Sequence, residues 1–264
     1  MHVSDLHAGP PFRPVVAAQV AREAHDLKPD LLVISGDLVQ RADFAGQWRT
    51  IIDYIATLPE PRLVIPGNHD VPLFHVVDRV FRPLSTYERR ISPDVNPVFE
   101  RPGLQVVGGN TAYGLTIDGG YLGRRQQQKI EQIFKRAPAD TCKIAVLHHH
   151  VINPPACEGR RKISNAVETM RLLDRCGVEL LLCGHIHMSF VGNTRDALPD
   201  LTHGTIICQS GTTTSRRGKA TELGKNSYNV IEIDEQVLKI TNYLLADGAA
   251  RFVPVAEYSF PRQR

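Results

Sequence analysis

The sequence predicts an α/β protein built on a largely parallel sheet. Short aliphatic runs alternate with helical patterns up to about residue 190, polar clusters follow those runs, and strand-like runs without helices close the chain. The predicted strands are 31–35, 62–66, 105–109, 143–148 and 179–183. Before the second cluster, Val16, Val20, Ala24 and Leu27 form a helical stripe behind Pro14, which suits a first turn. Trp48, Ile51, Ile52 and Ile55 form a second stripe, and further helices are expected over 124–136 and 165–176. These stripes read as core faces. After residue 200 come runs at 205–209, 227–233, 237–246 and 252–260, an antiparallel finish. Asp234-Glu235 and Asp247-Gly248 supply turns for a meander that would pack as a second sheet.

Residues 1–264 contain no internal repeat or linker, so they read as one domain: a βαβ-type core over 1–190 and C-terminal strands over 200–264. Stretches 153–165 and 210–226 are polar, with Gly or Pro and Arg, and read as long loops. With 42% hydrophobic and 22% charged residues, the composition excludes collagen, coiled coil and wholesale disorder. A net charge of +3 gives no electrostatic argument for nucleic acid or membrane. Neither a membrane-spanning run nor a signal-peptide pattern is present, so a cytoplasmic location is expected. Five cysteines, widely spaced and without a CxxC, suggest core packing rather than disulfides or a thiolate metal site.

Histidine stands out, with eleven, several in clusters. In order, the strand ends present Asp5-Leu6-His7, Gly36-Asp37, Gly67-Asn68-His69-Asp70, His148-His149-His150 and Gly184-His185-Ile186-His187. The C-terminal ends of parallel strands lie along one edge, so clusters distant in sequence converge there. Roughly 30 residues separate the first three, one βαβ unit each. Carboxylate, imidazole and amide oxygen without thiolate suit manganese, iron or zinc. So many donors exceed the needs of one open catalytic ion and fit two ions sharing a carboxylate. Gly36, Gly67 and Gly184 would let the backbone turn sharply beneath the donors.

These five blocks resemble the signature of calcineurin-like metallophosphoesterases. Their order is most similar to compact bacterial members, including class III cyclic-nucleotide phosphodiesterases. The resemblance implies an αββα sandwich of two mixed sheets flanked by helices, with a dinuclear site at strand C-terminal ends. It implies that Asp5, His7 and His187 bind one metal, that Asn68, His148 and His185 bind the other, and that Asp37 bridges the two. An alignment shifted by one residue makes His149 the ligand instead of His148; whichever is not a ligand would contact substrate phosphate. His69 is implied to stabilise the transferring phosphoryl group and protonate the leaving oxygen, with Asp70 orienting its ring. The implied reaction is in-line attack by a metal-bridging hydroxide, with two divalent or trivalent ions (Mn, Fe or Zn).

Two features depart from the family pattern. Val151 stands where a Pro usually follows the His pair, and only Met1 to Ser4 precede the first cluster, so the first strand is short and weakly anchored unless the natural start lies upstream. Arg160, Arg161 and Lys162 lie where a basic rim would meet a second phosphate or a nucleotide, and Arg216, Arg217 and Lys219 would close the other side of the cleft. Neither cluster has the interleaved aromatics of a single-strand platform. The expected function is therefore a phosphodiesterase on small diesters such as 3',5'-cyclic nucleotides. A phosphomonoesterase or nuclease with the same centre is the alternative, and a non-catalytic scaffold is the third reading.

Overall fold

The computed structural model describes residues 1–246 and 248–262. Among these, two six-stranded sheets stack face to face with helices on both outer faces. The first sheet has the order β12-β11-β10-β1-β2-β3, with β1 His2–Val3, β2 Leu32–Ile34, β3 Arg62–Val64, β10 Asn226–Ile233, β11 Val237–Leu245 and β12 Val253–Pro261. The second has the order β4-β5-β6-β7-β9-β8, with β4 Val98–Arg101, β5 Leu104–Gly109, β6 Cys142–Leu147, β7 Leu180–Cys183, β8 Phe190–Asn193 and β9 Ile206–Gln209.

Period-two alternation explains the layering. Leu32 and Ile34 face helices α1 (Pro14–Leu27) and α2 (Ala45–Ala56), while Leu31 and Val33 enter the core between the sheets. In the second sheet, Ala145, Leu147, Leu181 and Ile207 face helices α5 (Arg124–Arg136) and α6 (Ala166–Arg175); Ile144, Val146, Leu180 and Cys208 face inward. Apolar residues on both faces are what central strands covered on each side require. The α1 stripe is buried at Val16, Val20 and Ala24, but Leu27 is 41% exposed, because the helix ends there and Lys28 turns left-handed at φ 47°. Trp48, Ile51 and Ile55 are buried, and Cys142, Cys183 and Cys208 pack in the cores.

The C-terminal runs correct the expected sheet assignment. Strands β10 to β12 do not make a second sheet; they extend the first, through antiparallel pairing of β10 with β1 at His2↔Asn229. β9, expected within the antiparallel finish, runs parallel to β7. Strand exchange of this kind is set by long-range pairing, which periodicity does not report. Asp234 makes the first expected turn, its Oδ1 accepting from the N–H of Gln236 and Val237 at 2.7 Å each. Of the second turn, Asp247 lies outside the described residues. Helices α3 (Val76–Phe81) and α4 (Ser85–Arg90) and strands β4 and β8 were not expected; α3 buries no residue and so leaves no apolar stripe to read.

The short β1 is nonetheless central. It is buried, pairs with β2 and β10, and its Met1 ammonium donates to the Leu31 carbonyl at 3.0 Å. A cavity of about 820 Å³ opens between the sheets at the starting ends of β5 and β7, opposite the loops that carry the polar clusters. Among the described residues no helix is long and apolar enough to cross a membrane.

Candidate metal centre

The five clusters converge at the strand C-terminal ends, and they do so on strained backbone. Asp5, His7, Asp37, His185 and His187 all have positive φ, between 48° and 79°. Side-chain-bearing residues occupy this left-handed region at a cost of about 1–3 kcal/mol each, and only where the surroundings over-determine them. Here a threonine run does so. Thr212 Oγ1 donates to the Asp5 carbonyl at 2.7 Å, Thr214 Oγ1 to the Leu6 carbonyl at 2.9 Å, and the Thr213 N–H to the Ser4 carbonyl at 3.0 Å. Glycine is required at Gly36 (φ 97°), where a Cβ would stand 2.6 Å from His148 Nδ1, and at Gly67, where a Cβ would fall on Asp37 Oδ1.

Two groups of acceptor atoms result. In the first, Asp5 Oδ1 lies 3.1 Å from His187 Nε2 and 3.6 Å from His7 Nε2, and Asp37 Oδ2 lies 3.7 Å from His7 Nε2. In the second, Asn68 Oδ1 lies 3.1 Å from His148 Nε2 and 3.0 Å from His185 Nδ1, and Asp37 Oδ1 lies 3.3 Å from His148 Nε2. Asp37 thus offers one oxygen to each group. His148 Nε2 reaches both of these oxygens, and His149 offers a further ligand atom that lies with those of His148 and His185 within 4.8 Å of one another.

Surrounding groups fix these orientations. His148 Nδ1 donates to the Ser35 carbonyl at 2.7 Å and His187 Nδ1 to the Arg217 carbonyl at 3.0 Å, leaving each Nε2 lone pair turned inward. Asn68 Nδ2 donates to the Ile117 carbonyl at 3.0 Å, which commits Oδ1 to the centre. Asp5 Oδ2 accepts from Ser4 Oγ at 2.7 Å and from the His185 N–H at 2.9 Å, so Oδ1 is the free oxygen.

The site holds unsatisfied acceptors. Asp5 Oδ1, Asp37 Oδ2 and His185 Nε2 are buried without a hydrogen-bond partner among the described residues. Buried acceptors in that condition are costly unless a cation satisfies them. Burial alone would raise the Asp5 and Asp37 carboxyls, but the neighbouring histidines hold both well below their usual range. Burial would likewise lower His148, yet Asp37 at 3.3 Å lifts it to about 9; burial keeps His7 down at about 3. Hard oxygen and imidazole donors in two nests sharing a carboxylate fit a pair of divalent ions.

His69 stands beside the nests, its Nε2 4.0 Å from Asp37 Oδ2. Burial, with Arg217 and Arg41 opposing Asp37, holds it below the usual imidazole range. Its Nδ1 lies 2.8 Å from both the Gln40 carbonyl and Arg41 Nη1, and its Nε2 lies 3.2 Å from Arg217 Nη1. The expected orienting role of Asp70 is corrected here. Its carboxylate turns away from the ring and accepts from the N–H groups of Leu38 (2.9 Å), Val39 (3.1 Å) and Gly67 (2.8 Å), tying the second cluster to the third. The Gln40 carbonyl, not the Asp70 carboxylate, is the oxygen beside His69 Nδ1.

His149 is fully buried beside His148 and His185, with Nδ1 2.8 Å from Thr111 Oγ1 and Nε2 without a hydrogen-bond partner among the described residues. Arg160 is half-buried and Arg161 exposed. Sequence reasoning missed Gln40, Ser35 and Asp118, the last with its carboxylate 3.7 Å from His185 Nε2. Ser35 and Gln40 flank Gly36-Asp37, the one signal that could have pointed to them.

The model of the calcineurin-like phosphoesterase family matches residues 1–189. Among solved structures, a dimetal phosphatase from Danio rerio is similar at 10% identity and a TM-score of 0.72, covering 99% of this chain and 98% of that one. A purple acid phosphatase from yellow lupin (Lupinus luteus) seeds is similar at 14% identity and a TM-score of 0.71, covering 99% of this chain; this chain spans only 53% of the lupin protein. Vps29 from Entamoeba histolytica, complexed with Zn²⁺, is similar at 13% identity and a TM-score of 0.50, covering 99% and 98% of the two chains. At these identities the likeness is one of fold. No curated protein matches the chain significantly.

Proposed function

As the chain belongs to the calcineurin-like phosphoesterase family, we propose that it is a metal-dependent phosphoester hydrolase whose substrate is a small phosphodiester, the class that includes 3',5'-cyclic nucleotides. One observation carries the reading: Asp37 divides its two oxygens between nests completed by Asp5, His7 and His187 on one side and by Asn68, His148 and His185 on the other. Bound there, two ions of manganese, iron or zinc would supply Lewis acidity and an activated nucleophile for in-line attack on phosphorus.

The chain's own groups do the rest. The Ser35, Arg217 and Ile117 carbonyls fix the donor atoms before substrate arrives, so no reorganisation is needed during reaction. His69, anchored through Nδ1 on Gln40, presents Nε2 as the atom that exchanges a proton with the leaving oxygen. Arg217 Nη1 bears on the same nitrogen and adds positive charge where the equatorial oxygens become more negative. Action on a small molecule in the cytoplasm belongs to the same proposal, supported by the modest net charge and the five spaced cysteines.

The test is turnover of bis(p-nitrophenyl) phosphate beside p-nitrophenyl phosphate, with chelator-stripped protein and Mn²⁺, Fe²⁺ or Zn²⁺ restored singly. Metal-dependent cleavage favouring the diester supports the proposal. Preference for the monoester overturns the diester choice, and no cleavage of either with two metals bound overturns the hydrolase reading for simple esters.

A further inference from the structure

The loop between β5 and α5 packs against the second group of donors and meets three of its residues. Thr111 Oγ1 lies 2.8 Å from His149 Nδ1, the Ile117 carbonyl accepts from Asn68 Nδ2 at 3.0 Å, and Asp118 Oδ1 lies 3.7 Å from His185 Nε2. Gly120 approaches so closely that a Cβ there would stand 2.5 Å from the His149 ring. The loop is itself pinned. Arg79 Nη2 donates to the Thr116 carbonyl, Thr116 Oγ1 to the Gly119 carbonyl at 2.5 Å, and the Ser164 N–H to the Gly120 carbonyl at 2.8 Å. Asp118 thus stands between backbone anchors at Ile117 and at Gly119–Gly120, and those anchors set its place beside His185.

His185 has one ring nitrogen in the centre and one outside it. Its Nδ1 lies 3.0 Å from Asn68 Oδ1, among the donor atoms, while its Nε2 is buried without a hydrogen-bond partner among the described residues. A neutral imidazole whose Nδ1 lone pair serves an ion carries its proton on Nε2, which then becomes a buried donor and is costly to leave unpaired. Metal-binding imidazoles commonly give that second N–H to a carboxylate, which fixes the tautomer and raises the basicity of the ligand atom. Asp118 is the carboxylate in position. Among the described residues it makes no hydrogen bond and its one ion-pair contact is with His185, although Lys219 is near enough to feel its charge. The 3.7 Å separation is longer than a hydrogen bond. Half-exposed and otherwise unbonded, the carboxylate is free to turn and close it.

We propose that Asp118 is a positioning residue of the centre: its carboxylate accepts from the His185 Nε2–H when Nδ1 holds a metal ion, and this contact ties the loop between β5 and α5 to occupancy of the second group. The inference rests on the metal-centre reading above and extends it to a residue outside the five clusters.

The test titrates Zn²⁺ into chelator-stripped protein by calorimetry, beside Asp118→Ala, Asp118→Asn and Leu115→Ser. Asp118→Ala should bind one of the two ions about 10- to 100-fold more weakly, the usual effect of removing such an outer partner. Asp118→Asn keeps an acceptor oxygen and should recover part of the loss. Leu115→Ser, on the same loop and 78% exposed, should bind both ions as the unsubstituted protein does. The metal-free Tm of Asp118→Ala should not move, because the carboxylate holds no other group in place. In zinc-loaded protein carrying ¹⁵N-histidine, the His185 Nε2–H, assigned by its absence from His185→Gln, should give a slowly exchanging signal that is lost or displaced in Asp118→Ala. Undiminished affinity in Asp118→Ala, an equal loss in Leu115→Ser, or an unmoved Nε2–H signal overturns the role of Asp118 and leaves the metal centre standing. Failure of the unsubstituted protein to take up zinc overturns the centre itself, and the positioning role with it.

Discussion

His7 Nε2 and His187 Nε2 face each other across 3.0 Å in the buried floor of the cleft. The His187 Nδ1–H is committed to the Arg217 carbonyl, so its Nε2 brings a lone pair to this contact, with Asp5 Oδ1 3.1 Å away. Divalent metal should therefore stabilise the fold by mass action, by about 2.7 kcal/mol at a hundredfold excess over Kd. Thermal unfolding with and without EDTA, beside metal analysis, checks this; full loading is expected near two ions per chain. Asn68→Ala or His185→Ala should lose one ion and most turnover, and Asp37→Ala both ions. Full activity in Asn68→Ala would sink the dinuclear centre.

His69 borders both nests but supplies no atom to the groups of converging donors. His69→Ala should keep both ions while kcat falls by about 10² to 10⁴, the usual worth of a positioned proton-transfer group. Loss of metal in step with activity would instead make it a ligand.

Asp70 acts through backbone. Asp70→Asn replaces an oxygen that accepts from Leu38, Val39 or Gly67 with an amide donor, so donors confront donors in a buried place. The expected cost is about 1–3 kcal/mol of stability with weakened metal affinity. The acid limb of the kcat pH profile should stay where it is; its displacement would restore an orienting role toward His69.

Thr212 holds the carbonyl of a residue at φ 54°. Thr212→Val keeps the shape and removes the hydroxyl, leaving the Asp5 carbonyl short of a donor. A stability loss of about 1–3 kcal/mol is expected by denaturant unfolding, together with weaker binding of one ion as the Asp5 nest relaxes. A purely structural clamp elsewhere in the fold would change stability without changing metal affinity.

Asp43 fastens the segment that leaves the third cluster, accepting from the N–H groups of Leu73 (2.8 Å), Phe74 (2.9 Å) and His75 (3.1 Å). Partial burial would raise its carboxyl, but those three donors more than offset this and bring it below the ordinary 3.8. A depressed folded value contributes stability above the unfolded value and loses it as pH falls through the folded one. The Tm gap between the unsubstituted protein and Asp43→Ala should thus be widest near neutrality and close below about pH 4. A gap that persists at low pH would assign the effect to packing.

Much of the centre was legible because its residues carry their signal locally. Asp37, Asn68, His148, His185 and His187 stand just after aliphatic runs, Asp5 and His7 are spaced one βαβ unit before Asp37, and parallel strands must bring such ends to one edge. The choice between His148 and His149 was not legible. The strand ends at Leu147 and both rings reach toward His185, so only the contacts of His148 Nδ1 with the Ser35 carbonyl (2.7 Å) and of its Nε2 with Asn68 show which ring meets the Asn68 oxygen. The Asp70 role was misread for a similar reason: adjacency to His69 suggested contact, whereas the backbone of the Asp37 cluster lay closer in space.

The sequence by itself determined the α/β class, the order of the clusters and the donor chemistry, because hydrophobic periodicity and residue type are properties of short segments. Tertiary structure decided which sheet the C-terminal strands join, which oxygen of Asp37 serves which nest, and that the Gly211-Thr212-Thr213-Thr214 loop braces the Asp5–His7 backbone some 200 residues away. Those outcomes depend on pairings between distant segments. Their energy lies in hydrogen bonds and close approaches that exist only once both partners are in place.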